Sequence, residues 1–123
     1  MDSSWRTKWP DLAVGLHLHD TRGTGLPSAL AGLQLGVTEF DASIAGLGGC
    51  PFAATDGAAG NICTEDFAFM CEEMGISTGL DIEKLIEAAW IAEEVVGRPL
   101  PGHVMRGGTL TASRSRSSGY RAA

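Results

Sequence analysis

An α/β chain built from parallel βα units is the fold this sequence predicts, on three observations. Apolar runs at 12–19 and 37–47 read as strands, helical patterns follow them, and the connecting stretches are rich in glycine. Length and composition agree with this. With 123 residues, 44% hydrophobic and 20% charged, the chain can bury one core and is too short for two.

Residues 12–19 (LAVGLHLH) form a near-continuous apolar run, the pattern of a strand buried on both faces. After the turn DTRGTG, the stretch LPSALAGLQLG places Leu26, Leu30, Leu33 and Val37 at helical spacing. Pro27 suits a first helical turn and Gly36 a helix exit. A second strand is expected over 37–47 (VTEFDASIAGL), running into the glycine-rich loop GLGGCPFAATDGAAGN. Thr64 reads as the cap of a helix with Glu65 and Asp66 in its first turn, where the helix dipole favours acids. A stronger helix starts from Asp81, with Ile82, Leu85, Ile86, Ala89 and Trp90 on one face, and Gly97 and Pro99 end it. Phe67, Phe69 and Trp90 read as core.

The organisation expected is a divergent lead-in over 1–11, a body of βα units over 12–101, and a flexible Arg/Ser-rich tail over 102–123. Two strands do not complete a parallel sheet. Their outer edges would leave backbone groups unpaired, so the body reads as part of a larger architecture.

Bulk properties exclude several functions. No run reaches the ~18 apolar residues of a membrane span, and the start MDSSWRTKWPDL lacks the apolar stretch of a secretion signal, so a cytoplasmic protein is expected. The net charge of −6, with all fifteen acids between Asp2 and Glu94, argues against a nucleic-acid partner. The three cysteines, Cys50, Cys63 and Cys71, show no CxxC pair and read as free thiols; Cys63 and Cys71 read as packing residues.

The chemistry concentrates in three motifs. In GLHLHDTRG, His17 and His19 are two apart and would share one face of a strand, while Leu16 and Leu18 take the other. Such a pair holds a metal, or else consists of two structural histidines. Asp20 then either orients a ligating imidazole or caps the turn. Cys50 lies in GLGGCPF directly after a strand, where α/β proteins place reactive groups, and the glycines there match no nucleotide-phosphate loop. Asn61 and Glu65, in GNICTED, read as a turn residue and a helix-start acid, or as an oxygen ligand and a carboxylate beside the same cation.

Taken together, HLHDTRG, FDASIAGLGGCPFA, GNICTED and MGISTGLDIEKL resemble the C-terminal half of the hydroxymethylglutaryl-CoA lyase family, from about Leu12 to Pro101 and in the same order. That family belongs to the metal-dependent TIM-barrel lyases and Claisen-type synthases. HxHD is shared with the synthases; the cysteine in GLGGCPFA and the GNxxTED stretch point to the lyases. The resemblance implies the C-terminal portion of a (β/α)₈ barrel, incomplete here, since a whole barrel takes about 250 residues. It implies that His17, His19 and Asn61 ligate a divalent cation, Mg²⁺ or Mn²⁺, with no organic cofactor. It implies that Cys50 and Glu65 move protons and that His17 also takes part in catalysis. The implied substrate is an acyl-CoA, cleaved by a retro-Claisen reaction to acetyl-CoA and acetoacetate. The family's Arg-Asp strand has no counterpart upstream of His17. The chain is therefore expected to be a fragment of such a lyase with little or no activity alone, or else a half-barrel completed by an N-terminal half-barrel partner or a homo-oligomer. Two other readings stay open: a non-catalytic metal-binding or interaction half-barrel, and a related acyl-CoA lyase or synthase with another substrate.

Overall fold

The computed structural model describes residues 4–49 and 60–118. Its elements are α1 (Ser4–Lys8), β1 (Gly15–His17), α2 (Gly25–Gln34), β2 (Glu39–Asp41), a 3₁₀ turn (Ile44–Gly46), α3 (Thr64–Glu73), α4 (Ile82–Val96), α5 (Val104–Gly107) and α6 (Leu110–Ser118). β1 and β2 pair in parallel, Gly15 with Glu39, Leu16 with Phe40 and His17 with Asp41. The mixed α/β class with parallel strands is as expected.

Both strands are shorter than the apolar runs suggested. The expected strand over 12–19 hydrogen-bonds as strand only over Gly15–His17, and Leu12 is 55% exposed. Among the described residues β1 has one strand neighbour, and α2 and α3 meet the strands at Leu16 and Phe40. The second strand, expected over 37–47, stops at Asp41, because the chain turns at Ile44–Gly46. The expected glycine-rich loop ends at Gly60 and Asn61, and the chain from there to Thr64 is extended. It lies against the ends of both strands: the Ile62 N–H donates to the Leu18 carbonyl (3.0 Å) and the Ser43 N–H to the Ile62 carbonyl (2.9 Å).

α2 closes on the strands through small residues. Its buried positions are Gly25, Ala29 and Gly32, while Leu26, Leu30 and Leu33 flank them half-buried. A Cβ on Gly32 would sit 2.5 Å from Leu16 Cδ1 and 3.3 Å from the Phe40 ring, so glycine sets the helix-to-strand distance. Gly36 leaves the helix at φ 81°, as its position suggested.

The N-cap of α3 is Cys63, with Thr64 the first helical residue and no side-chain capping bond. Phe67 stacks on Phe40 at 4.9 Å between centroids. α4 begins as expected, with the Asp81 carboxylate accepting the Lys84 N–H (3.2 Å), and Gly97 in the left-handed region closes it. A core of Ala45, Ala89, Leu100 and Met105 joins α4, the 3₁₀ turn and α5, with Ile44, Leu47 and Ala92 around it. Trp90, expected in that core, is 45% exposed and lies under the Arg106 guanidinium. Ala89 faces the 3₁₀ turn, and the next residue is turned about 100° away from it.

The segment 102–123, expected to be a flexible tail, carries α5 and α6 as far as Ser118. Val104 and Met105 are buried. Arg106 donates to the carbonyls of Leu100 and Gly102 and to the Glu93 carboxylate. These tertiary contacts outweigh a glycine- and serine-rich composition. The lead-in contributes α1, and Arg6 donates to the Gly36 carbonyl.

Glu93 makes this link pH-sensitive. The Leu100 N–H donating to it (2.8 Å) and the Arg106 guanidinium (2.5 Å) hold its carboxyl below the usual carboxylate value. A carboxyl lowered on folding stabilises the fold above its unfolded value, near 4.5, and loses that contribution as pH falls through the lower folded value. The Leu100 amide should therefore lose protection, relative to its intrinsic exchange rate, as pH falls through that lowered value, and Glu93→Gln should flatten that acid response in a hydrogen-exchange series.

Candidate metal and acid–base site

Strand alternation puts Leu16 and Phe40 on the helix-covered face and His17 and Asp41 on the other. His19 lies two residues beyond His17, past the end of β1, and forms an isolated antiparallel bridge with Asn61. The two imidazoles meet as the spacing anticipated. Nε2 of His17 is 3.2 Å from Nε2 of His19, with the rings edge to face at 67°. The other nitrogen of His17, Nδ1, lies 3.2 Å from Asp41 Oδ2.

Asn61 is held by its amide. Its Nδ2 donates to the Leu47 carbonyl (3.2 Å), which fixes the amide orientation and leaves Oδ1 buried without a partner among the described residues. Nδ1 of His19 is likewise buried and unpartnered. Buried polar atoms are rarely left this way. Two imidazole nitrogens and an amide oxygen form a donor set suited to a divalent cation, and the residues present fit that group.

Asp20 resolves toward its turn role. Its Oδ1 accepts the Gly25 N–H at the start of α2 (2.8 Å). The carboxylate beside His17 belongs to Asp41, which sequence reasoning did not single out. Only the register of β1 against β2 reveals it.

Glu65 stands in a second group. It is fully buried at the start of α3, and its Oε2 accepts the Ala45 N–H (3.0 Å), while Oε1 has no hydrogen-bond partner among the described residues. Ala45 sits at φ 54°, a conformation an alanine rarely adopts, so the buried carboxylate anchors a strained turn. Beside it is Cys63, read from sequence as packing alone. Burial first, and then the neighbouring Glu65 and Asp66 carboxylates, push the Cys63 pKa far above the ordinary thiol range, so the thiol keeps its proton. Asp66 accepts from the N–H groups of His103 (3.0 Å) and Val104 (2.7 Å) and lies 3.0 Å from the His103 ring.

Ligand atoms of Cys63, Glu65 and Asp66 come within 4.8 Å of one another. Asp66 already accepts from the His103 and Val104 N–H groups, which leaves this group fewer free oxygens for a cation. A cavity of about 270 Å³, lined in part by Asp20, Asn61, Cys63, Asp66 and His103, borders both groups. Cys50 lies outside the described residues. The hydrogen bonds thus bring His17 and His19 together, tie Asn61 to the turn beside them, and join Glu65 to the Ala45 turn rather than to an imidazole.

The HMGL-like family profile matches residues 4–91. The chain is 49% identical over 94 residues to a hydroxymethylglutaryl-CoA lyase of Bacillus subtilis, covering 76% of this chain and 31% of that protein. It is 46% identical over 101 residues to the (R)-citramalyl-CoA lyase of Chloroflexus aurantiacus, covering 82% of this chain and 31% of the relative. A solved structure of an HMG-CoA lyase from Acinetobacter baumannii, in complex with coenzyme A and 3-methylmalate, superposes with a TM-score of 0.78 at 43% identity, over 89% of this chain and 35% of that one. The chain therefore spans about a third of the length of these relatives. Its βα units match part of their TIM barrel.

Proposed function

The chain belongs to the HMGL-like family, and on that premise we propose that it forms part of a divalent-cation-dependent carbon–carbon lyase acting on 3-hydroxy-3-methylglutaryl-CoA. The observation that carries this reading is the meeting of the His17 and His19 Nε2 atoms, with His19 bridged to Asn61, whose buried Oδ1 has no partner among the described residues. His17, His19 and Asn61 would hold the cation, Mg²⁺ or Mn²⁺. When bound, it would acidify the substrate's tertiary hydroxyl and orient the bond to be broken.

In the proposed reaction a base takes the hydroxyl proton and the adjacent carbon–carbon bond breaks. The electron pair passes to the thioester enolate, and an acid returns a proton to carbon, giving acetoacetate and acetyl-CoA. We assign the proton transfers to Cys50, with Glu65 in the acid–base network and His17 assisting. The buried Glu65 carboxylate supports that role through its unused Oε1. The rest of a barrel wall lies outside these 123 residues, whether in the same protein, in an N-terminal half-barrel partner or in a second copy, and the 123 residues by themselves would turn over little or no substrate. Neither nucleic acid nor membrane is a partner in this reading; among the described residues no helix is long and apolar enough to cross a membrane. The cytoplasm is the proposed location.

Mn²⁺ titration followed by electron paramagnetic resonance tests the reading. The chain should bind the ion, and His17→Ala or His19→Ala should each weaken binding at least about tenfold, the least that altering a metal's surroundings typically costs. Equal affinity in all three proteins would remove the metal assignment. The citramalyl-CoA lyase relative favours a second reading, a related acyl-CoA substrate. Turnover of citramalyl-CoA but not hydroxymethylglutaryl-CoA by the assembled enzyme would select it.

A further inference from the structure

Asp41 pairs with His17 across β1 and β2, so both side chains leave the sheet on the same face, and its Oδ2 lies 3.2 Å from His17 Nδ1. A carboxylate only accepts, while a neutral imidazole carries its proton on one nitrogen or the other. The nitrogen facing Asp41 must then be the one bearing the proton. That leaves a lone pair on Nε2, the atom 3.2 Å from Nε2 of His19. We infer that Asp41 is a positioning residue, which holds His17 in the Nδ1–H form so that its Nε2 is free to donate to a cation shared with His19. The inference rests on the metal reading above for its use, and on the hydrogen bond alone for its physics.

The pair does little for folding. The side chains of His17 and Asp41 are 54% and 77% exposed, and open pairs of this kind are worth little in stability. What Asp41 controls is which ring nitrogen is protonated, a choice set by the partner of the other nitrogen. Asp20, the carboxylate nearest in sequence, is committed to the Gly25 N–H, so it does not substitute.

The test uses the full 123-residue chain, its Asp41→Ala variant and its Asp41→Asn variant, without metal and then with Mn²⁺. Long-range ¹H–¹⁵N spectra of the imidazoles, taken where His17 is neutral, report its tautomer. The Nδ1–H form should dominate in the wild-type chain and give way to Nε2–H in Asp41→Ala. Asp41→Asn keeps an acceptor oxygen and should restore most of the Nδ1–H population. Thermal midpoints should be alike in all three. Mn²⁺ affinity should fall about 10- to 100-fold in Asp41→Ala and recover in Asp41→Asn.

An unchanged His17 tautomer in Asp41→Ala would overturn the inference, as would Mn²⁺ binding that is equal in wild type and Asp41→Ala. Should the wild-type chain bind no Mn²⁺ while the tautomer still switches, the metal reading fails and the orienting role of Asp41 stands.

Discussion

Gly60→Ala is expected to lower stability by about 3 kcal/mol, the upper end of the usual cost of overpacking. A Cβ at this position would lie 2.4 Å from the Gly46 carbonyl oxygen, 2.6 Å from that of Gly48 and 2.7 Å from the Leu47 carbonyl carbon. All three are backbone atoms, so no rotamer change relieves the clash. The 60–64 segment would have to withdraw from the 3₁₀ turn. Its ties would then stretch together: the Asp20 N–H to the Gly60 carbonyl (3.1 Å) and the Asn61 amide to Leu47 (3.2 Å). Asn61 would move with them, so Mn²⁺ binding should weaken alongside the denaturation midpoint. Gly49→Ala is the control, because a Cβ there meets nothing within 4 Å among the described residues and should change stability by no more than about 0.5 kcal/mol. A Gly60→Ala chain as stable as wild type in urea would refute the close packing of this segment.

Asp66→Ala should cost a similar amount, about 3 kcal/mol, through a different mechanism. The carboxylate is 5% exposed and accepts from two backbone N–H groups, those of His103 and Val104. Hydrogen bonds to a charged group are worth about 1.5–3 kcal/mol, and a buried donor left unpaired adds its desolvation penalty. Losing Asp66 frees the start of α5, so Met105 should loosen from the core it shares with Ala45, Ala89 and Leu100. Hydrogen exchange should accelerate first at His103 and Val104 and then through α5, while the β1–β2 amides keep their protection. Asp66→Asn retains one acceptor and should fall between wild type and Asp66→Ala. Uniform acceleration across the whole chain would refute the local anchor.

Much of the local structure was legible because it depends on neighbours in sequence. Asp81 at the cap of α4, Gly97 at its end and Gly36 at the end of α2 follow from backbone conformations particular residue types favour. The side-by-side placement of His17 and His19 follows from the two-residue period of extended chain. Errors arose where burial decided. Trp90 fitted the apolar stripe of α4, but the core selected Ala89, and the tail's composition hid Val104 and Met105. Thr64 has a capping side chain, yet the extended residue before α3 is Cys63.

Periodicity and turn chemistry alone were enough to establish the α/β class, the order of α2, α3 and α4 and the nearness of two imidazoles, since each depends on residues a few positions apart. The pairing of Asp41 with His17 across 24 positions, the tie of Glu65 to Ala45 across 20, and the anchoring of His103 by Asp66 across 37 emerged only once the chain was folded. Such contacts depend on strand register and on which groups water leaves behind, and no local pattern encodes either.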